Sequence, residues 1–392
     1  MLSLAPFPGA RRMLSVSIVA RLPLAVLSIG LLVHAQRLTG SFGVAGLVTA
    51  AYAVALGIGG PLLGRLADRR GQTSVLAGSA TVAAALLVAI ALLPAGVDVR
   101  VLLALAAAVG LATPPVGACL RALLPSIVRD RDALGAAYAL EASAVELTWV
   151  LGPPLALAVA AMWSTGAALL GGGVVLLLAT LAFAAEPASR AWRAAGAVRP
   201  RGGSLRAPAM RTLVLVMTAV GVLFGAVEVA VTAAATTLGG PAAAAPLLGL
   251  WGVGSLIGGM AAARRGGKDM PGLALMLAAL TAGHVALVAA AGSVVWIGVV
   301  LLVAGAAIAP TYALVYALVE DAAPANTVTE AFAWLATAAA LGAALGSAVA
   351  GSATEQAGPA AAFALAGAAG VAAFLTAVVR SPTLAVVARA VA

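Results

Sequence analysis

The sequence predicts an all-α membrane protein of twelve transmembrane helices in two six-helix repeats, and three observations predict it. First, hydrophobic residues make up 63% of the 392 and charged residues only 9%, against roughly 45–50% and about 25% in ordinary soluble domains. A chain this apolar cannot hide its nonpolar surface in a soluble core, so lipid is its solvent. Second, the apolar residues fall into twelve runs near the roughly 20 residues that a helix needs to cross a ~30 Å hydrocarbon core. Third, a constant offset of 195 residues relates glycines, prolines and a basic turn of the first half to the second.

The first run, 14–35, follows Arg11 and Arg12. It is too long for a signal-peptide core and more spans follow it, so it reads as a retained first helix. Next come 43–63, which ends in a charged turn, then 73–94, 100–124, 133–162 and 165–186. After a polar stretch come 211–237, 244–263, 271–291, 294–320, 326–350 and 358–380. The overlong runs fit tilt or extension past the bilayer, and their Gly and Pro are tolerable because neighbouring helices re-satisfy the freed backbone.

Of the 22 Arg and Lys, all but Arg21, Arg37 and Arg100 sit at the N-terminus, the even-numbered span ends and their loops, or the C-terminus. The positive-inside rule makes that side cytoplasmic and places both termini there. The stretch from Glu186 to Arg211 carries six arginines with several Gly and Pro. The domains therefore read as an N-terminal six-helix bundle (1–186), a cytoplasmic linker (187–210) and a C-terminal six-helix bundle (211–392). The formal charge of +9 forms no face or stripe, so it reports topology and no nucleic-acid partner is expected. The single Cys119, in an apolar segment, excludes an internal disulfide framework and a cysteine metal cluster. With no phosphate-binding loop and no nucleophile–base arrangement, neither an enzyme, a cofactor, a metal nor ATP-driven transport is expected.

The charged turn carries the most specific signal. Gly64 and Gly71 bracket Arg65, Asp68, Arg69 and Arg70 in the frame G-x-L-A-D-R-x-G. This resembles the loop between the second and third helices of the major facilitator superfamily of transporters. The 195-residue shift carries Gly57, Gly59, Gly64 and Arg69–Arg70–Gly71 onto Gly252, Gly254, Gly259 and Arg264–Arg265–Gly266, and also Gly30 onto Gly225, Gly110 onto Gly305 and Pro115 onto Pro310. Two parallel six-helix repeats are the architecture of that superfamily, with a substrate site near the midplane between them. The resemblance implies a gating role for Gly64, Arg65, Asp68, Arg69, Arg70 and Gly71, with the Asp meeting the N-terminus of the eleventh helix, where free N–H groups and partial positive charge stabilise a carboxylate. Gln72 and Thr73 stand where the pattern usually has a second basic pair, and Ala263 where the second copy would have an Asp.

Carboxylates inside spans are costly enough to point to function. Glu141 and Glu146 lie on the fifth span, roughly 12 and 20 Å from its start and about 140° apart around the helix. One is expected to face the central cavity and the other to pack inside the N-terminal half. Glu228, on the seventh span, is the third candidate for coupling protons or binding substrate, and Arg21 the fourth. Arg21 lies roughly 10 Å inside the first span, and either snorkels to the surface or pairs with Glu141 at matching depth. Thr327-x-x-Glu330 has the spacing of a capping box at the start of the eleventh span, which accounts for Glu330. Arg121 snorkels or joins the latch, and His284 packs. Tyr138, Trp149, Tyr312, Tyr316 and Trp334 are the aromatics available to the cavity.

Trp149-x-x-Gly152-Pro153-Pro154 is loosely similar to the Gly-Pro signature of the superfamily's antiporters, although the Arg four residues before Gly110 that antiporters carry is Ala106 here. An apolar cavity with few carboxylates suits hydrophobic ligands better than sugars. The expected function is thus drug-efflux-like: proton-coupled export of amphipathic or hydrophobic small molecules, its partners being substrate, protons and membrane lipids, as a monomer. The alternatives are a proton-driven nutrient importer and a lipid flippase or non-transporting membrane partner. One lysine, Lys268, among 21 arginines points to a GC-rich genome, and hence to a bacterial cytoplasmic membrane.

Overall fold

The computed structural model describes residues 7–192, 203–240, 243–265 and 272–384, apart from the side chains of 42, 146, 147, 149, 150, 153, 154 and 265. Lys268 and Gly266 lie outside the described residues. Fifteen α-helices follow one another among these residues: α1 Pro8–Thr39, α2 Phe42–Arg70, α3 Gln72–Ala91, α4 Val99–Ala112, α5 Val116–Ile127, α6 Arg131–Met162, α7 Thr165–Ala185, α8 Pro187–Ala191, α9 Pro208–Leu238, α10 Ala244–Arg265, α11 Leu273–Ala290, α12 Val294–Gly305, α13 Ile308–Ala322, α14 Val328–Ala357 and α15 Pro359–Val379. Ala- and Leu-rich runs favour helix intrinsically, and short polar side chains start several of them. Ser41, Asp130 and Ser164 accept from the N–H groups of Val44, Ala133 and Ala167 at 3.3, 2.7 and 3.0 Å, as N-caps do.

Among the described residues, eleven helical passages are long and apolar enough to cross a membrane, with Val99–Ile127 and Val294–Ala322 each counted as one. The segment 133–162 of the sequence prediction lies within α6, which at 32 residues is long enough to cross and whose side chains at 146, 147, 149, 150, 153 and 154 lie outside the described residues. The two joined passages each break where the sequence has Pro115 or Pro310, at Thr113–Pro115 and at Ala306–Ala307. Proline lacks an N–H and disfavours helical backbone before it. Half-exposed Leu47, Val54, Ile58 and Leu62 run along one face of α2, and Leu341, Leu345 and Val349 along α14. Such stripes are lipid-facing surface in a chain that spans a membrane.

The helices α1–α7 pack among themselves, as do α9–α15, and the two groups meet where α2 and α5 pack on α14 and α6 on α10 and α13. Glycines set the closest crossings and correct the register of the internal repeat. An added Cβ at Gly110 would overlap the carbonyl of Tyr52 and crowd Leu56, and one at Gly305 would overlap that of Trp251 and crowd Ser255. Likewise Gly59 meets Leu111, and Gly258 meets Ala306. The offset of 195 therefore holds for α4 and α12, but the equivalent contacts of α2 and α10 lie 199 apart. The second half has a connection four residues shorter between these helices, so the shift that aligned Gly57 with Gly252 was one helical turn out of register.

Candidate functional site

Across the crossing of α2 and α14, the charged turn meets the start of α14. A Cβ at Gly64 would stand 3.0 Å from the Thr329 carbonyl oxygen and 3.2 Å from the Glu330 nitrogen, so glycine permits this approach. One turn later, buried Asp68 accepts the Thr329 N–H on Oδ1 at 3.1 Å and the Glu330 N–H on Oδ2 at 3.0 Å. These N–H groups have no partner within their own helix and carry the positive end of its dipole. The capping box expected of Thr327 and Glu330 does not form. Thr327 Oγ1 donates to the Pro324 carbonyl at 2.7 Å and caps nothing, while the Glu330 carboxylate accepts Arg65 Nη2 at 2.9 Å. The reason is competition: a carboxylate accepts more strongly than a hydroxyl, and Asp68 holds the N–H that the box would use.

The latch extends in both directions from Asp68. Thr337 Oγ1 donates to the Gly57 carbonyl at 2.7 Å further along the crossing. Gly203, at φ +65°, lies so close to the Glu330 carboxylate and Arg65 that a Cβ there would overlap Glu330 Oε1. The described end of the linker thus rests on the ion pair. Gly71, at φ +90°, turns the chain from α2 into α3, and Arg69 and Arg70 are exposed beside it. Gln72 and Thr73 tie into the first half, donating to the carbonyls of Cys119 at 3.1 Å and Ala184 at 3.3 Å.

Deeper in, Glu141 is fully buried on α6, and its Oε1 meets Arg21 Nη1 at 2.6 Å and Arg121 Nη2 at 3.0 Å. Arg21 therefore pairs and does not snorkel. Arg121 neither snorkels nor joins the latch, because its guanidinium lies over the Tyr316 ring of α13, 4.2 Å from the centroid. Glu141 is the member of the acidic pair that packs inside the first half; the side chain of Glu146, like that of Trp149, lies outside the described residues. Tyr138, Tyr312 and Tyr316 come together: Tyr138–Tyr316 centroids are 6.0 Å apart and Tyr312–Tyr316 5.8 Å. Phe332 adds to them, and Phe224 stacks on Tyr312 and meets Trp251 edge-on at 5.1 Å. Half-buried Trp334 makes no ring contact among the described residues. His284 packs as expected, accepting the Trp251 Nε1–H on Nε2 at 3.1 Å, with Nδ1 at 2.7 Å from the Leu280 carbonyl. That pairing places the ring proton on Nδ1.

An open groove of about 520 Å³ runs along α9, lined by Glu228, Val229, Thr232, Thr236 and Ser347, of which Glu228, Thr232 and Thr236 are exposed. Glu228 is some 30 Å along α9 from its start, hence in the half of the molecule away from the latch. Its carboxylate makes no ion pair among the described residues. The hydroxyls of Thr232 and Thr236 donate back to carbonyls one turn earlier, at 2.7 and 2.8 Å, leaving their lone pairs toward the cavity.

The sequence matches the profile of the Major Facilitator Superfamily over residues 13–339. The chain belongs to that superfamily. A solved structure of similar fold is that of the human organic anion transporter MFSD10 (TETRAN), 20% identical, with a TM-score of 0.74 over 94% of this chain and 99% of that one. No curated protein matches the sequence significantly. Membership of the major facilitator superfamily makes the chain a multi-pass secondary transporter. Two arginines named from the sequence have partners that it did not show, and three aromatics of the site were not singled out. Arg121 and Arg65 had visible charge but no visible partner, although a rule that every cation inside a span needs a nearby anion points Arg121 to Glu141. Phe224, Trp251 and Phe332 carry no signal that separates them from core aromatics.

Proposed function

We propose that this superfamily member works by alternating access as a proton-coupled exporter of amphipathic or hydrophobic small molecules, the latched face being cytoplasmic and both termini lying there. One observation carries the reading: Glu228 has no ion-pair partner among the described residues and lines an open cavity in the half away from the latch. Protonation there removes a charge that no neighbouring cation compensates, so proton binding and ligand binding at this wall are coupled. Glu141 has two guanidinium partners already, which makes Glu228 the preferred coupling acid, with Glu146 next. The human transporter of like fold carries organic anions; at 20% identity that likeness conveys the fold, and the charge of the ligand here rests on this chain's own residues.

The test is transport by purified protein in inside-out vesicles with an acidic lumen, using the dyes ethidium and carboxyfluorescein. Wild type is expected to accumulate a dye in the lumen. Glu228→Gln is expected to bind that dye but to lose gradient-driven accumulation by at least ten-fold. Dye leaving the acidic lumen would make the protein an importer, and unchanged accumulation by Glu228→Gln would remove this acid from the coupling.

A further inference from the structure

We propose that Arg21 and Arg121 form a subsite for the acidic group of an amphipathic ligand, covered in this conformation and uncovered when the two halves part at the latched face. The subsite rests on the alternating-access reading given above. Two guanidiniums face one carboxylate, so the buried cluster carries an excess positive charge. Their side chains are only 7% and 8% exposed. Arg21 Nη2, Arg121 Nε, the nearby Ser17 Oγ and the second Glu141 oxygen, Oε2, are buried polar groups without a hydrogen-bond partner among the described residues, two of them guanidinium donors on a cluster with one carboxylate. A cluster serving only to hold helices together would be neutral and fully bonded, since buried charge and unpaired donors are both costly.

What compensates the excess charge belongs to the other half. The Tyr316 ring lies 4.2 Å from the Arg121 guanidinium carbon and the Phe332 ring 5.9 Å, an arrangement that stabilises a cation. Glu320, the nearest acid along α13, is one turn beyond Tyr316 and half-buried. Both rings and Glu320 move with the second half, whereas Arg21, Arg121, Glu141 and Ser17 all belong to the first. Opening the latched face therefore strips the aromatic cover and leaves a net cationic pair with spare N–H donors. A planar carboxylate supplies the second negative charge and accepts those donors as a fork. Gly117 keeps the space open on the α5 side, since a Cβ there would stand 3.4 Å from Arg21 Nη1 and 3.5 Å from Arg121 Nη2.

The test is equilibrium binding of radiolabelled benzoate to the purified full-length protein, with tetraphenylphosphonium as the control of opposite charge. Asp68→Asn, which loosens the latch, is expected to bind benzoate at least ten-fold more tightly than wild type, with no such gain for the cation. Arg121→Gln in that background is expected to lose the gain. It leaves a neutral Arg21–Glu141 pair and so preserves folding, to be verified by its melting temperature. Glu141→Gln, which raises the excess charge, is expected to strengthen benzoate binding further. Should Arg121→Gln fail to fold, Tyr316→Leu, which uncovers the pair directly, is expected to reproduce the gain of Asp68→Asn. Equal benzoate binding by wild type and Asp68→Asn, or a gain that survives Arg121→Gln, overturns the subsite. Gradient-driven ethidium transport alongside either result leaves the transporter reading standing, whereas absence of all dye transport together with strong benzoate binding removes transport and keeps the subsite.

Discussion

Asp68 uses both carboxylate oxygens on main-chain N–H groups of a helix more than 260 positions away in sequence. A charge at a helix N-terminus stabilises by about 0.3–1 kcal/mol when exposed and up to ~2 kcal/mol when partly buried. Asp68 is 2% exposed, so the range near the upper figure applies, and losing it shifts a two-state gate by roughly ten- to thirty-fold. Asp68→Asn is therefore expected to express and melt close to wild type while transport falls about ten-fold; normal transport at equal expression would refute the latch. Arg65 contributes less. Its side chain is 40% exposed, and water screens an ion pair of that kind to below about 1 kcal/mol. Buried Glu330 depends on Arg65 more than Arg65 depends on it.

Among the helices, α9 and α14 show how small residues set the architecture. A Cβ at Gly221, Gly225, Gly342 or Gly346 would overlap the carbonyl of Ala339, Ala343, Thr218 or Val222 respectively. The four glycines form two small-xxx-small faces crossing each other, the device by which membrane helices approach without a hydrophobic drive between them. Gly225→Val is expected to cost about 3 kcal/mol or more by overpacking, read as a clear drop in melting temperature or loss of folded yield. Gly351→Ala on the same α14 meets nothing within 4 Å and is expected to melt at or slightly above wild type. These helices were legible as apolar runs of the right length, but their faces were not: with Gly and Ala so abundant, periodicity does not distinguish a crossing from a lipid face. The same abundance concealed the one-turn slip between α2 and α10, because a glycine lies at Gly254 as well as at Gly258.

At the scale of the whole molecule, the fold was legible because lipid imposes length and charge rules that any sequence must display. The site was legible only where a motif names it. The loop from Gly64 to Gly71 pointed to the start of α14, yet the partners of Arg21, Arg65 and Arg121 depend on which helices touch, which no span by itself records. The crossings between the halves are also unlike. On one side α2 and α14 carry Asp68, Arg65 and Glu330; on the other, Gly259 of α10 packs closely on Ser143 and Ala139 of α6. The arrangement of basic loops makes its own prediction at this scale. Reporter fusions within 193–202 and after Ala392 are both expected to report a cytoplasmic location, and an external signal at either point would refute the assigned sidedness.

The latch also has a genetic consequence. The groups that Asp68 grasps are amides, which every residue except proline carries, so at 329 a change to proline alone deletes one of them. Small substitutions at buried Thr329 leave the contact intact, while every neutral replacement at 68 removes the charge and, where the new side chain has no acceptor, both bonds as well. Mutational tolerance across this contact is thus one-sided, and a variant that loses Asp68 has no charge-reversal suppressor at its direct partners. Reversion in such a strain has to come from elsewhere, by weakening whatever favours the open gate.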